Sequence, residues 1–229
     1  MFSRLPQVTK ALLIANVAIF LLQQLFDVPP DARMSEFFAL WPILPDAGFF
    51  SGDRAFMPWQ LLSYAFLHGD LMHLLFNMLA LVMFGAQLEH VWGSRRYLTY
   101  FGVCVAGAGL CQLALASMSV SQGGPAYSTL GASGGVFGLL LGYGMLFPNQ
   151  RVMLLIPPIP MKARTLVIVY GAIELMLGFT GLQPGVAHFA HLGGMLFGWL
   201  LIRHWRRPPP PKPPSSSGGG GPRHLRVVK

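Results

Sequence analysis

Residues 131–147 read GASGGVFGLLLGYGMLF, a run without a single charged side chain. Gly134, Gly138 and Gly142 recur every four residues in it, which places them on one face of a helix. In a bilayer a face of small residues lets two helix backbones approach closely. A second apolar run, 187–205, carries Gly194 and Gly198 at the same spacing. Further runs lie at about 10–26, 61–88, 96–118 and 164–182, separated by Pro, Gly or charge. At about 20 residues per transmembrane helix, six spans occupy roughly half the chain. The reading is an all-α, polytopic membrane protein: a six-transmembrane-helix bundle forming one domain over 1–207.

Composition agrees. Charged residues are 10% of the 229, against roughly 25% in a soluble domain, while 53% are hydrophobic. The net charge of +8 forms no stripe, so no nucleic-acid partner is expected; the lipid bilayer is. With six spans both termini share one side. Fourteen of the sixteen Lys and Arg residues fall on that side, and only Arg33 and Arg54 on the other. The positive-inside rule makes it cytoplasmic. A bacterial inner membrane is the expected location for a short six-span chain without added domains. Residues 208–229, PPPKPPSSSGGGGPRHLRVVK and the proline before them, read as a disordered, basic cytoplasmic tail. The run after Lys10 lacks a small-residue cleavage site and is kept as the first span, not a signal peptide. Phe37–Trp41 is too short to span and is placed at the interface. Cys104 and Cys111 lie two turns apart on one helix, too far to pair.

Polar groups inside hydrocarbon are costly and demand a reason. His68, Asp70, His73, Asn77, Ser133, Glu174, His188 and His191 are the ones within spans. Spans two, four and six run from outside to inside, and His73, Asn77, Ser133 and His191 all fall in the first third of theirs. Three distant segments thus converge at one level below the outer surface. Ser133 opens a helix after a small-residue turn, where free backbone N–H groups and the helix dipole favour negative charge. If the two glycine faces meet, Ser133 lies near His191, and the spacing itself points to a serine–histidine pair. Glu174, near the middle of the fifth span, is expected below that level as a hydrogen-bonded structural residue, with no carboxylate beside His191. Asp70 is placed in water at the outer interface, and Glu89 is expected to tie helix ends together on the cytoplasmic side.

At these residues the sequence resembles the rhomboid family of intramembrane serine proteases. His68, His73 and Asn77 match a His-x4-His-x3-Asn pattern; Gly131, Ser133 and Gly134 match Gly-x-Ser-Gly. Ala190, His191, Gly194 and Gly198 match Ala-His-x-x-Gly-x-x-x-Gly, and Gly85, Glu89 and Gly93 match Gly-x-x-x-Glu-x-x-x-Gly. The resemblance implies Ser133 as nucleophile, His191 as general base, and an oxyanion site of His73, Asn77 and the Ser133 amide. His188, the rival base, lacks the following glycine pattern. Phe137 stands where the family often has a tyrosine stacked on the histidine, and Trp59-Gln60 where it often has Trp-Arg. The expected activity is serine endopeptidase cleavage of single-pass or other transmembrane protein substrates near the outer face, without cofactor or metal. The alternative is a non-catalytic rhomboid-like protein that binds client helices. A metal or haem site on His68, His73, His188 and His191 gains no support from spacing, and a transporter none from internal repeats.

Overall fold

The computed structural model describes residues 5–28, 31–44, 55–153, 158–182 and 185–206. The tail at 208–229, the domain boundary at Arg207, and Arg4, Asp46, Asp53 and Arg54 lie outside them. Pro6, whose nitrogen has no proton to leave unpaired, precedes α1 (Gln7–Phe26). A two-residue hairpin, β1 (Asp27–Val28) with β2 (Asp31–Ala32), leads into α2 (Arg33–Phe38). Asp27 caps that short helix, its carboxylate accepting the N–H groups of Met34 at 2.7 Å and Ser35 at 3.1 Å.

The segment expected as one span from 61 is interrupted. A short α3 (Gln60–Ser63) runs into a 3₁₀ turn at Tyr64–Phe66, and Leu67 is extended. Helix resumes only at Leu71, because Asp70 is an N-cap: its carboxylate accepts the His73 N–H at 2.8 Å. From there α4 (Leu71–Ala80), a π turn at Leu81–Gly85 and α5 (Ala86–Trp92) form one continuous helical stretch. Asp70 is exposed, as expected.

Then follow α6 (Ser94–Ser121), α7 (Ser133–Leu146), a hairpin of β3 (Arg151–Met153) and β4 (Pro160–Lys162), α8 (Ala163–Thr180) and α9 (His188–Trp205). The chain is mostly helical. Among the described residues, α1, Leu71–Trp92, α6 and α8 are long and apolar enough to cross a membrane. At 14 residues α7 is about 21 Å long, short of a roughly 30 Å hydrocarbon core.

The centre of the bundle is α6, α7 and α9. The glycine faces do meet: a Cβ on Gly194 would overlap the carbonyl oxygen of Gly134, and one on Gly138 would come within 3.2 Å of the Gly194 carbonyl oxygen. α6 fills the groove beside them, with Cys104 against Gly138 and the Tyr100 hydroxyl donating to the Gly138 carbonyl at 2.8 Å. That hydroxyl also lies against the Gly198 α-carbon. Tyr64 and Tyr100 are fully buried around this contact. Cys104 and Cys111 are both free thiols on α6.

At the opposite end of Leu71–Trp92, Glu89 joins three helices. Its carboxylate accepts the backbone N–H groups of Val8 (2.9 Å) and Thr9 (2.8 Å) at the start of α1. It also accepts the hydroxyls of Thr9 (2.8 Å) and of Ser94 (2.7 Å) at the start of α6. The Glu89→Ala substitution strips partners from these groups at about 1–3 kcal/mol each. We expect a melting temperature in detergent about 10 °C below wild type, read by intrinsic fluorescence. Gly194→Ala has no flexible side chain to displace, only the Gly134 backbone, so α7 and α9 must separate. Its expected result is a properly inserted protein in which residue 133 no longer reacts with a serine-directed probe.

Candidate active site

Three helix beginnings and one helix interior meet above the glycine contact. Ser133 is the first residue of α7, Ala190 and His191 lie in the first turn of α9, and His73 lies in the first turn of α4. The loop entering α7 is clamped. Thr129 and Leu40 exchange backbone hydrogen bonds at 2.9 Å, and the Gly131 N–H donates to the Tyr64 carbonyl at 2.9 Å. Gly131 has φ of +123°, and a Cβ there would sit 2.8 Å from His73 Nε2. Only glycine fits both demands. No side chain caps α7, so the N–H groups of its first turn lack a side-chain partner.

Ser133 Oγ lies 2.8 Å from His191 Nε2. The Phe137 ring, one turn on, is stacked on the His191 imidazole at 4.3 Å between centroids and 5° between planes. The serine, the histidine and the ring expected over it are therefore together. Gly134, Gly194 and Gly198 hold the helices at the spacing this needs.

His73 faces the same point: the position of a Cβ on Gly131 is 2.8 Å from its Nε2 and 3.7 Å from Ser133 Oγ. Its Nδ1 accepts the Gly69 N–H at 3.4 Å, which places the proton of the neutral ring on Nε2, toward Ser133. Asn77 is buried one turn deeper on the same face and donates one amide hydrogen to the His73 carbonyl at 2.9 Å, leaving the second. His68 is buried behind His73, ring centroids 5.1 Å apart, with neither ring nitrogen hydrogen-bonded among the described residues.

One expectation is overturned. A carboxylate does stand beside His191: Glu174 Oε2 is 2.8 Å from His191 Nδ1 and 2.7 Å from His188 Nδ1. The expected separation in depth amounts to about one helical turn, roughly 5.4 Å, which a glutamate side chain crosses. His188, the rival base, has its other nitrogen buried and without a hydrogen-bond partner among the described residues.

The four histidines weighed as metal ligands divide into two pairs, His68 with His73 and His188 with His191. Glu174, His188 and His191 alone bring three donors within 4.8 Å of one another among the described residues. Their N···O distances of 2.7 and 2.8 Å are hydrogen-bond lengths, shorter than the ~3.3 Å between ligand atoms around tetrahedral zinc.

Gln60, where Trp-Arg is frequent, is fully buried and anchors the first loop. Its Oε1 accepts the N–H groups of Trp41 (3.2 Å) and Met57 (3.1 Å), and its Nε2 donates to the Phe37 carbonyl at 3.2 Å. A neutral amide thus supplies both donors and acceptors to the loop. The sequence marked position 60 only as a departure from Trp-Arg and not its anchoring partners, which are backbone groups 3–23 residues away.

Residues 55–207 match the Rhomboid domain family. RHOMBOID-like protein 4 of Arabidopsis thaliana is 34% identical over 144 residues, 62% of this chain and 33% of that protein. Rhomboid protein 1, mitochondrial, of Saccharomyces cerevisiae is 31% identical over 199 residues, 83% of this chain and 52% of that protein. Rhomboid protease AarA of Providencia stuartii is 27% identical over 203 residues, covering 84% and 70%. The chain spans a third to a half of the length of the plant and yeast relatives. With four helices apolar enough to cross a bilayer, this is an integral membrane protein. The chain belongs to the rhomboid family.

Proposed function

We propose that the chain is an intramembrane serine endopeptidase that cleaves transmembrane segments of substrate proteins near the outer membrane face. The observation that carries this reading is the 2.8 Å contact between Ser133 Oγ and His191 Nε2. A name containing protease among the relatives supports the same kind of activity. The fold behind the proposal is a six-span bundle of α1, Leu71–Trp92, α6, α7, α8 and α9, with 208–229 as a cytoplasmic tail. The Lys and Arg distribution supports both termini on the cytoplasmic side of the membrane.

In this mechanism His191 Nε2 takes the Ser133 proton as Oγ attacks the scissile carbonyl. The resulting oxyanion faces the Ser133 N–H at the start of α7, the Nε2–H of His73 and the free amide hydrogen of Asn77. His191 then protonates the leaving amine, and water, activated by the same nitrogen, releases the acyl group. The short α7 supports a nucleophile below the surface: with its inner end at the membrane boundary, its N-terminus falls about 9 Å inside the hydrocarbon. Water reaches that depth along polar His73, Asn77, Ser133 and His191, which supports a cavity open to the outer side. A substrate helix must unwind there, because its peptide bonds are shielded and internally bonded. Small or helix-breaking residues near the outer face are therefore the expected cleavage sites.

Ser133→Ala in liposomes is expected to abolish cleavage of a model transmembrane substrate while leaving the melting temperature unchanged. Labelling of wild type by a fluorophosphonate, lost in His191→Ala, is the companion result. Cleavage that persists in Ser133→Ala refutes the assignment, and a wild-type protein that neither labels nor cleaves but retains substrate helices favours the client-binding alternative. His73→Ala, which removes one oxyanion donor, is expected to lower kcat by about 100–1,000-fold.

A further inference from the structure

We propose that Glu174 is a positioning residue for His191, extending the serine–histidine pair into a Ser133–His191–Glu174 chain, with His188 as the second donor that holds the carboxylate in place. The proposal rests on the serine–histidine reading above and adds to it the residue that decides which imidazole nitrogen carries the proton.

The His191 ring bridges two partners, Ser133 Oγ at 2.8 Å from Nε2 and Glu174 Oε2 at 2.8 Å from Nδ1. A carboxylate only accepts hydrogen bonds, and a neutral imidazole has a single N–H. The proton is therefore fixed on Nδ1, and the lone pair on Nε2 is left facing the serine hydroxyl. That is the tautomer a general base requires. When Nε2 takes the serine proton, the ring becomes a cation 2.8 Å from the carboxylate, which stabilises it without itself accepting a proton.

The carboxylate is held from a second direction. His188 Nδ1 donates to the same Oε2 at 2.7 Å, and His188 is 5% exposed. Two donors on one oxygen aim the carboxylate at His191 and offset part of the cost of burying it. They also give His188 a reason to be buried with its Nε2 unpaired. The assignment needs nothing from outside the chain, because the proton that Ser133 loses to His191 passes to the leaving amine.

A purely structural Glu174, one that only ties α8 to α9, predicts a loss of stability but no control over the imidazole. The test separates these roles. In the full-length protein in detergent micelles, ¹⁵N NMR of the histidine rings, assigned by comparison with His191→Gln, is expected to show wild-type His191 protonated at Nδ1 and unprotonated at Nε2. In Glu174→Gln, whose amide can donate to Nδ1, the Nε2–H form is expected to appear. Kcat for a model transmembrane substrate is then expected to fall about 100–10,000-fold, the range of wrong-tautomer substitutions, with KM little changed. Glu174→Asp, which keeps the charge, is expected to recover part of the loss. A folded Glu174→Gln protein within about tenfold of wild-type kcat overturns the proposal. So does wild-type His191 protonated at Nε2, a measurement that needs no variant to fold. Ser133→Ala and His191→Ala run beside them: retained cleavage there refutes the serine–histidine reading, whereas their inactivity together with an active Glu174→Gln refutes only the role of Glu174.

Discussion

The close approach of α7 and α9 at Gly134 and Gly194 is the constraint on which the site depends. Neither position has room for a Cβ: at Gly194 the Gly134 backbone lies where it would be, and at Gly134 the Ala108 side chain of α6 does. The contact fixes Ser133, one residue before Gly134, and His191, three before Gly194, to within a hydrogen bond of each other. In lipid, helices gain little from hiding apolar side chains, because the solvent is equally apolar. Backbone proximity and dispersion carry the association instead, and α6 completes it with Ala108 packed against Gly134, Cys104 against Gly138 and Tyr100 against Gly198. Positioning of the site and cohesion of the bundle therefore come from one interface.

Around that interface the polar groups divide their work by the end of the bundle they occupy. Near the start of α4, α7 and α9, histidines, a serine and a glutamate form a connected set with Phe137 covering one ring face. At the far end of Leu71–Trp92, Glu89 gathers the first residues of α1 and α6. The two buried glutamates accept from different kinds of donor. Glu89 meets backbone N–H groups and hydroxyls, which is a helix-capping role, while Glu174 meets only two imidazoles. Side chains of one chemical type thus serve cohesion at one end and the site at the other.

The glycine spacing made the meeting of Ser133 and His191 legible from sequence, because four-residue recurrence dictates a helix face and a bare face dictates approach. His73 was legible for a similar reason, through the i, i+4 relation with Asn77. The break before Leu71 was less so: His68, Gly69 and Asp70 sit within an otherwise apolar run, and only the Asp70 cap shows where the helix begins. Glu174 was misplaced because depth counted along separate spans carries an error of about a turn, and a long side chain converts that error into contact. Gln60 was legible only as a departure from Trp-Arg; its anchoring role was not, since it lies in backbone groups that sequence pattern does not display.

The order of the helices along the chain has a consequence for biogenesis. A nascent chain that has emerged only as far as Thr180 contains Ser133 and Glu174 but neither His188 nor His191. Five glycines in α7, at 134, 135, 138, 142 and 144, also leave it few side chains for lipid, so it depends on α6 and α9 for its partners. Under the proposed chemistry, hydrolytic competence arises with the docking of the last helix.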